Sequence, residues 1–355
     1  MEGIEANLYL DGKPGRTAVV NGKEYLFFTG YHYLGINSDP EFMNLVAEGM
    51  DKYGWLYPSS RISNTRLDLY EACEALLAKL TGTEDTVLFS SGFAAGRVAI
   101  AGHQTVYNSP NSHPAILQQK AIIQDMEEWQ QWVLREGRRQ ASVGIPMVLA
   151  SDSVNPLTST VINFSFLAHL SQPALAIVDD SHGIGLLGEN GFGTSATLPR
   201  HNQLNYILTY SLSKALGIGG GAISCTKEQA AALRNLPEYT GATPISPAQV
   251  YAFLKGQHIY TRQHEKLKAN IAYFEMLVQD LPGIQHHPDL PVFILPSAIN
   301  EDVFYNSGIL ISSFPYPNPA GVRLKRIVLN ALHTFNDLDV LARVLRKAYQ
   351  QQPIN

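Results

Sequence analysis

The sequence is poor in cysteine, in clustered positive charge and in long apolar runs, and each shortage excludes a class of protein. Two of its 355 residues are cysteines, Cys73 and Cys225, which match neither a metal-binding spacing nor a disulfide framework. The net charge of −5 lacks the basic field of a nucleic-acid-binding protein. No run reaches the roughly 18 apolar residues of a membrane helix. We expect a cytoplasmic protein with no metal site, no nucleic-acid partner and no membrane span.

The chain does have the apolar content and the patterning of a two-domain α/β protein. Hydrophobic residues make up 45% of it, enough for a large core. Strand and helix patterns alternate from about 86 to 225, which predicts a domain built on a mainly parallel sheet. Helices are also predicted over 40–53, 68–80 and 247–281. Short strands followed by a last helix, after about residue 282, predict a smaller α+β domain.

Lys214 stands at the end of a strand-like stretch, and uncharged residues surround it in the sequence. An amine in a low-dielectric environment has a lowered pKa and can form a Schiff base. Ser211 and Ser213 flank this lysine as phosphate ligands would, and the glycines of 217–221 let backbone approach an anion. A surface lysine at the end of an edge strand explains the same residues equally well.

Asp179 and His182 follow another predicted strand, the apolar run 174–178. A carboxylate at the C-terminal end of a central strand lies where open α/β sheets bind ligands. Pyridoxal phosphate needs such an acid to keep its ring nitrogen protonated. His182 could reach the same pocket. A turn or a helix N-cap is the commoner explanation of an Asp-Asp pair taken alone.

A third strand end, Ser91-Gly92, opens a predicted helix after the strand 86–89. Backbone N–H groups and the positive end of the helix would face a phosphate there. An ordinary capped helix is the alternative.

Seven motifs, in this order along the chain, resemble the α-oxoamine synthase family of fold-type-I pyridoxal-phosphate enzymes, which includes 8-amino-7-oxononanoate synthase and glycine C-acetyltransferase. They are Tyr31-His32-Tyr33-Leu34-Gly35, Ser60-Arg61 with Leu69-Tyr70-Glu71, Ser91-Gly92-Phe93-Ala94-Ala95, Ser112-His113-Pro114-Ala115, Val178-Asp179-Asp180-Ser181-His182-Gly183 with Gly188-Glu189-Asn190-Gly191, Ser211-Leu212-Ser213-Lys214, and Arg326-Ile327 with Ala331-Leu332-His333-Thr334.

The resemblance implies a three-layer α/β/α large domain and a pyridoxal 5'-phosphate cofactor. The large domain would comprise 41–255, and 256–355 would form the small α+β domain, which the N-terminal segment 1–40 joins. The site would be completed across the interface of a homodimer.

The resemblance also implies roles at the cofactor ring. Lys214 would form the internal aldimine and then act as base and acid. Asp179 would pair with the ring nitrogen, His182 would hydrogen-bond the ring hydroxyl oxygen, and His113 would stack on the ring.

Phosphate and substrate contacts follow from the same motifs. The phosphate would be held by Ser91, Gly92, Phe93, Ser211 and Ser213, and Thr243 would reach the phosphate of the partner subunit. Arg326 would bind the amino-acid carboxylate, and Tyr31 stands where the family has an Asn that faces the substrate.

The implied reaction condenses an amino acid with an acyl-CoA thioester to a 2-amino ketone. The cofactor motifs are intact, whereas the departures, such as Tyr31 and the bulky 55–60 segment, fall on the substrate side. Two alternatives therefore stay open: an aminotransferase or decarboxylase on the same fold, and a non-catalytic pyridoxal-phosphate-binding protein.

Overall fold

The computed structural model describes residues 8–119, 123–141, 146–170, 172–315 and 321–351. The chain forms two compact units. The large unit comprises Asp39–Asn155 and Val161–Ile259, and the small unit comprises Met1–Ser38, Pro156–Thr160 and Tyr260–Asn355. The domain division at 40 and 255 stays a prediction, since compact units are not by themselves shown to fold separately.

The strands and helices of the described residues alternate through much of the large unit. The strands are β1 Thr17–Val20, β2 Lys23–Phe28, β3 Asp85–Phe89, β4 Tyr107–Asn108, β5 Met147–Asp152, β6 Val154–Asn155, β7 Thr160–Val161, β8 Ala174–Asp179, β9 Leu204–Ser211, β10 Gly221–Cys225, β11 Val292–Ile294, β12 Ile309–Pro315 and β13 Arg323–Val328. The helices are α1 Pro40–Tyr53, α2 Leu69–Thr81, α3 Gly92–Ala101, α4 Met126–Ala141, α5 Lys227–Leu233, α6 Pro237–Thr240, α7 Pro247–Lys255, α8 Gln257–Val278, α9 Asp302–Asn306 and α10 Phe335–Gln350.

The sheet of the large unit has the order β3-β10-β9-β8-β5-β4. The neighbours β9, β8, β5 and β4 run parallel, while β10 is antiparallel to both β3 and β9. Buried apolar residues continue along β8 and β9, as expected for strands covered on both faces. The predicted α/β class with a mainly parallel sheet is confirmed.

Helix α3 packs on this sheet, and glycines let it approach closely. Its apolar residues share one core cluster with Val87, Ile177 and Ile207 of the strands. A Cβ added at Gly92 would lie 2.6 Å from the Cβ of Ser211, and one added at Gly221 would lie 2.5 Å from the Cα of Gly92. The start of α3 is therefore fixed against the ends of β9 and β10.

The small unit contains a five-stranded sheet in the order β1-β2-β12-β13-β11. Helix α10 begins with a capping box between Thr334 and Asp337, and Arg16 pairs with Asp337 at 2.8 Å. His333 of the last motif accepts from Asn330 N through Nδ1 (3.0 Å) and contacts Phe27 O through Nε2 (3.0 Å). Burial lowers the pKa of His333 to about 4, so this histidine is a neutral structural residue.

One sequence prediction needs correction. The helix predicted over 247–281 is two helices, α7 and α8, separated at Gly256. Glycine has little helix propensity, and its N–H closes α7 by donating to Ala252 O at 2.8 Å. The described residues 8–39 form β1, β2 and a 3-10 turn at Ile36–Ser38. In the described ranges, no helix has the length and apolarity needed to cross a bilayer.

Candidate active site

Two carboxylates lie side by side where neighbouring parallel strands end. The register of β5, β8 and β9 pairs Asp152 with Asp179 and Asp179 with Thr209. Oδ1 of Asp179 accepts from Ser181 N at 3.0 Å, which fixes this carboxylate at the start of the following turn. The C-terminal edge of the sheet therefore carries a pair of acids, at the place where α/β sheets bind ligands.

Lys214 lies just beyond the end of β9, and its Nζ is 2.9 Å from Nε2 of His182. Burial lowers the pKa of the Lys214 amine, although Asp179 and Asp152 act in the opposite direction. The lysine keeps part of its surface accessible. An amine with a lowered pKa that remains accessible is suited to attack a carbonyl group or to carry a proton.

His113 belongs to the turn that follows β4, and Asp152 holds it there. The backbone N of His113 donates to Oδ2 of Asp152 at 2.8 Å, and its Nδ1 accepts from Ala115 N at 3.2 Å. Burial and the charge of Lys214 lower the pKa of His113, so its ring is neutral near pH 7. The structure thus brings His113 into the group that contains Lys214 and Asp179.

Asp152 also belongs to this group, although the sequence motifs did not predict it as a site residue. Burial, together with the neighbouring charge of Asp179, raises its pKa well above the usual range. One signal was available in the sequence, because the strand ending at Asp152 closes with an acid as the strand ending at Asp179 does.

The turns at 91–93 and 211–213 meet at the start of α3. Ser91 caps the helix by accepting from Ala94 N at 3.0 Å, and it bridges to Gly220. The hydroxyls of Ser211 and Ser213 lie 2.8 Å apart, and Ser211 N donates to Ser181 Oγ at 2.9 Å. The space beside the start of α3 is therefore lined by two hydroxyls, a glycine and the positive end of a ten-residue helix.

Asp180 fixes the loop that carries His182. Its carboxylate accepts from Ser153 Oγ at 2.6 Å and from Thr194 N at 3.0 Å. Cβ atoms added at Gly183 and Gly193 would approach its oxygens within 2.0 and 2.1 Å, so both glycines are sterically required. Burial raises the pKa of Asp180 to about 6.

This arrangement fits pyridoxal phosphate. The amine of Lys214 has the lowered pKa that bonding to an aldehyde requires. The acids at the strand ends can accept a hydrogen bond from a protonated pyridine nitrogen. The hydroxyls of Ser211 and Ser213 and the N-terminal end of α3 can donate to a phosphate. Among the described residues, no group of three His, Cys, Asp or Glu is arranged to hold a metal ion.

The remaining predicted residues are Thr243, Phe93, Arg326 and Tyr31. Thr243 is exposed, and its hydroxyl has no hydrogen-bond partner among the described residues of its own chain. Phe93 is 55% exposed at the start of α3. Arg326 and Tyr31 belong to the small unit, where Nη2 of Arg326 donates to the Tyr31 hydroxyl.

Residues 139–345 match the model of the family described as aminotransferase class I and II. The chain belongs to this family. An 8-amino-7-oxononanoate synthase of Lysinibacillus sphaericus is 24% identical to this chain. The alignment covers 95% of this chain and 92% of the relative. A 2-amino-3-ketobutyrate coenzyme A ligase of Salmonella typhimurium is 26% identical over 93% of the chain and 89% of the relative.

Structural similarity supports the same fold for this class I and II family member. The serine palmitoyltransferase of Sphingomonas wittichii superposes with a TM-score of 0.80 at 20% identity, over 97% of this chain and 92% of that one. The predicted fold-type-I architecture and the resemblance to α-oxoamine synthases are confirmed. The protein is a pyridoxal-phosphate-dependent transferase.

Proposed function

We propose that the protein is an acyltransferase that condenses an amino acid with an acyl-CoA thioester to a 2-amino ketone. The observation that carries this proposal is the Lys214 amine, which has a lowered pKa and lies 2.9 Å from His182 beside the acids at the ends of β5 and β8. Relatives that carry the names of α-oxoamine synthases support the reaction class.

The large unit would hold the cofactor through the residues described above. Lys214 Nζ would bond to its aldehyde carbon, Asp179 would accept from its ring nitrogen, and His182 would face its ring hydroxyl. Ser91, Gly92, Phe93, Ser211 and Ser213 would hold the phosphate. Pyridoxal phosphate, when bound, supplies a ring that accepts the electron pair left on the amino-acid Cα.

Arg326 would bind the amino-acid carboxylate. Its guanidinium is buried, with 2% of the residue exposed, and it forms no ion pair among the described residues. A buried cation without an anion is unfavourable, and the planar guanidinium matches a carboxylate. A substrate that brings a carboxylate would supply the missing charge.

Lys214 and His113 would carry the protons of the reaction. The amino-acid Cα loses a proton or carbon dioxide and bonds to the thioester carbonyl carbon, while the carbon–sulfur bond breaks and coenzyme A leaves as a thiol. A displaced Lys214 amine with a lowered pKa would accept and return the Cα proton near neutral pH. A neutral His113 could donate a hydrogen bond to the developing oxyanion.

A homodimer would complete the site. Large apolar side chains are exposed near the start of α3 and in the segment before α2: Trp55 (48%), Leu56 (61%), Ile62 (60%) and Phe93. Such side chains are typical of an interface rather than of a free surface. We infer that a second copy covers them and that Thr243 reaches the phosphate in that copy. Sedimentation equilibrium tests this, and a monomer at micromolar concentration would contradict it.

Free-thiol release by the cofactor-loaded protein tests the reaction. Amino acids are combined with short, medium and long acyl-CoA, and Lys214→Ala is compared with Lys255→Ala, an exposed lysine of the same unit. We expect release that requires one amino acid, that persists in Lys255→Ala and that is lost in Lys214→Ala.

The alternative functions give different results in the same assay. Transamination or decarboxylation would consume the amino acid without releasing thiol. A protein that only binds the cofactor would change its absorbance on amino-acid addition without any turnover. Thiol release without an amino acid would indicate plain thioester hydrolysis and would also contradict the proposal.

A further inference from the structure

The guanidinium of Arg326 has an aromatic environment. Its central carbon lies 4.9 Å from the centre of the Tyr31 ring and 5.6 Å from the centre of the Phe314 ring. Both contacts fall within the range of cation–π attraction. These rings shield the cation from water without neutralising it, so an anion that reaches it interacts strongly.

The donors of Arg326 are only partly used. Nη1 donates to Pro156 O at 3.3 Å, and Nη2 donates to the Tyr31 hydroxyl. The buried Nε has no partner among the described residues. A carboxylate bound through two parallel hydrogen bonds needs two donors on one edge of the guanidinium. Nε is available for this, and one of the two N–H groups of Nη2 is engaged by the phenol.

We propose that Tyr31 competes with the substrate carboxylate for Arg326 and so sets the affinity of the enzyme for its amino acid. This inference rests on the proposed role of Arg326 in carboxylate binding. Without substrate, the phenol oxygen stands in as the acceptor of Nη2. A carboxylate that binds the edge formed by Nε and Nη2 would replace this hydrogen bond, which a phenylalanine at position 31 could not make, while the ring contact with the cation would remain.

Tyr31→Phe tests the competition directly. The cofactor-loaded protein is titrated with glycine, alanine and serine and, in parallel, with methylamine, ethylamine and ethanolamine, which lack the carboxylate. The absorbance of the cofactor gives each Kd. We expect Tyr31→Phe to tighten binding of the amino acids about tenfold and to leave the amines unchanged, because one hydrogen bond to a charged group is at stake.

Steady-state kinetics and a matched variant separate competition from a structural effect. In Tyr31→Phe the KM for the amino acid should fall with its Kd, and kcat should stay within about twofold, because the phenol acts on binding. Tyr273→Phe removes another hydroxyl of the small unit, one that donates to Asp339 at 2.8 Å, and should change neither value. Thermal unfolding verifies that both variants are folded.

The outcomes separate this inference from the proposed function. Unchanged or weaker amino-acid binding in Tyr31→Phe would overturn the competition, even if wild-type protein prefers amino acids to amines. Equal affinity of the wild-type protein for amino acids and amines would instead remove Arg326 as the carboxylate receptor. Thiol release measured on the same samples reports the reaction independently of both.

Discussion

Lys214 and Arg326 are the two cations that the proposed chemistry needs, and their surroundings differ in kind. Lys214 has Asp179, Asp152 and His182 around it, and burial lowers the pKa of its amine. Arg326 has two aromatic rings and backbone or phenol acceptors, with no acid at ion-pair distance among the described residues. The first environment suits an amine that must lose its proton, and the second suits a permanent cation that awaits an anion.

The largest expected effect is a loss of turnover on removal of the Lys214 amine. Lys214→Ala should lower turnover by a factor of at least about 10³, because it removes both the group that bonds to the cofactor and the proton carrier. Steady-state thiol release measures the loss. Lys255→Ala should keep full activity, and comparable losses in both variants would point to a general folding defect instead.

Removing the Arg326 cation should weaken binding of the amino acid. Arg326→Leu should weaken amino-acid binding about 100-fold, since truncating one partner of a buried charged pair costs about 2–5 kcal/mol. Absorbance titration of the loaded protein measures the Kd. Arg323→Leu is the matched control, because Arg323 lies on the same strand and is more exposed. A leucine variant that binds as wild type does would exclude Arg326 from the substrate site.

The pH dependence of stability tests the environment of the acids at the strand ends, because burial raises the pKa of Asp180. The pKa of Asp180 is raised to about 6, so its contribution is fully present below pH 4 and declines as pH rises to about 6. Relative to Asp180→Asn, the wild-type protein should lose about 3 kcal/mol of unfolding free energy over this interval. Urea unfolding of the cofactor-free proteins measures the difference.

The exposed Asp51→Asn serves as the control for that series. It should follow the pH dependence of the wild-type protein. A difference between the wild-type protein and Asp180→Asn that stays constant from pH 4 to 6 would show that Asp180 is ionised throughout.

The smallest expected effect concerns Asp152. Asp152→Ala leaves the backbone N–H of His113 without its acceptor and should lower kcat about tenfold. Asp152→Asn keeps an acceptor and, since burial and Asp179 raise the pKa of Asp152 and so favour an uncharged side chain, kcat should stay within about threefold of wild type. Visible circular dichroism of the bound cofactor gives an independent measure of ring orientation. An Asn variant as impaired as Ala would mean that the charge of Asp152 matters.

Much of the large unit could be predicted from sequence, because its functional residues follow strand ends. Parallel strands bring their C-terminal ends to one edge, so Asp179, His182 and Lys214 come together once the strands are recognised. Asp152 was missed because the residues after it depart from the family pattern. The break at Gly256 was missed because the apolar periodicity continues through it.

The small unit was less predictable, since its contacts join distant segments. Strand β2 pairs with β12, and Pro156–Thr160 belongs to this unit through contacts such as Ser159 Oγ to Val292 O at 2.6 Å. Neither periodicity nor motif spacing indicates such pairings. The Tyr31 contact with Arg326 has the same origin, because it joins residues 295 positions apart.

The position of β10 has a consequence for biosynthesis. Strand β3 lies at the edge of its sheet and pairs only with β10 among the described residues, and Thr86 meets its hydroxyl partner Ser224 138 positions later. During synthesis on the ribosome, the turn at Ser91 and Gly92 can pack against β10 only after most of the large unit has been synthesised. Binding of the cofactor phosphate at the proposed site would therefore follow completion of the central sheet.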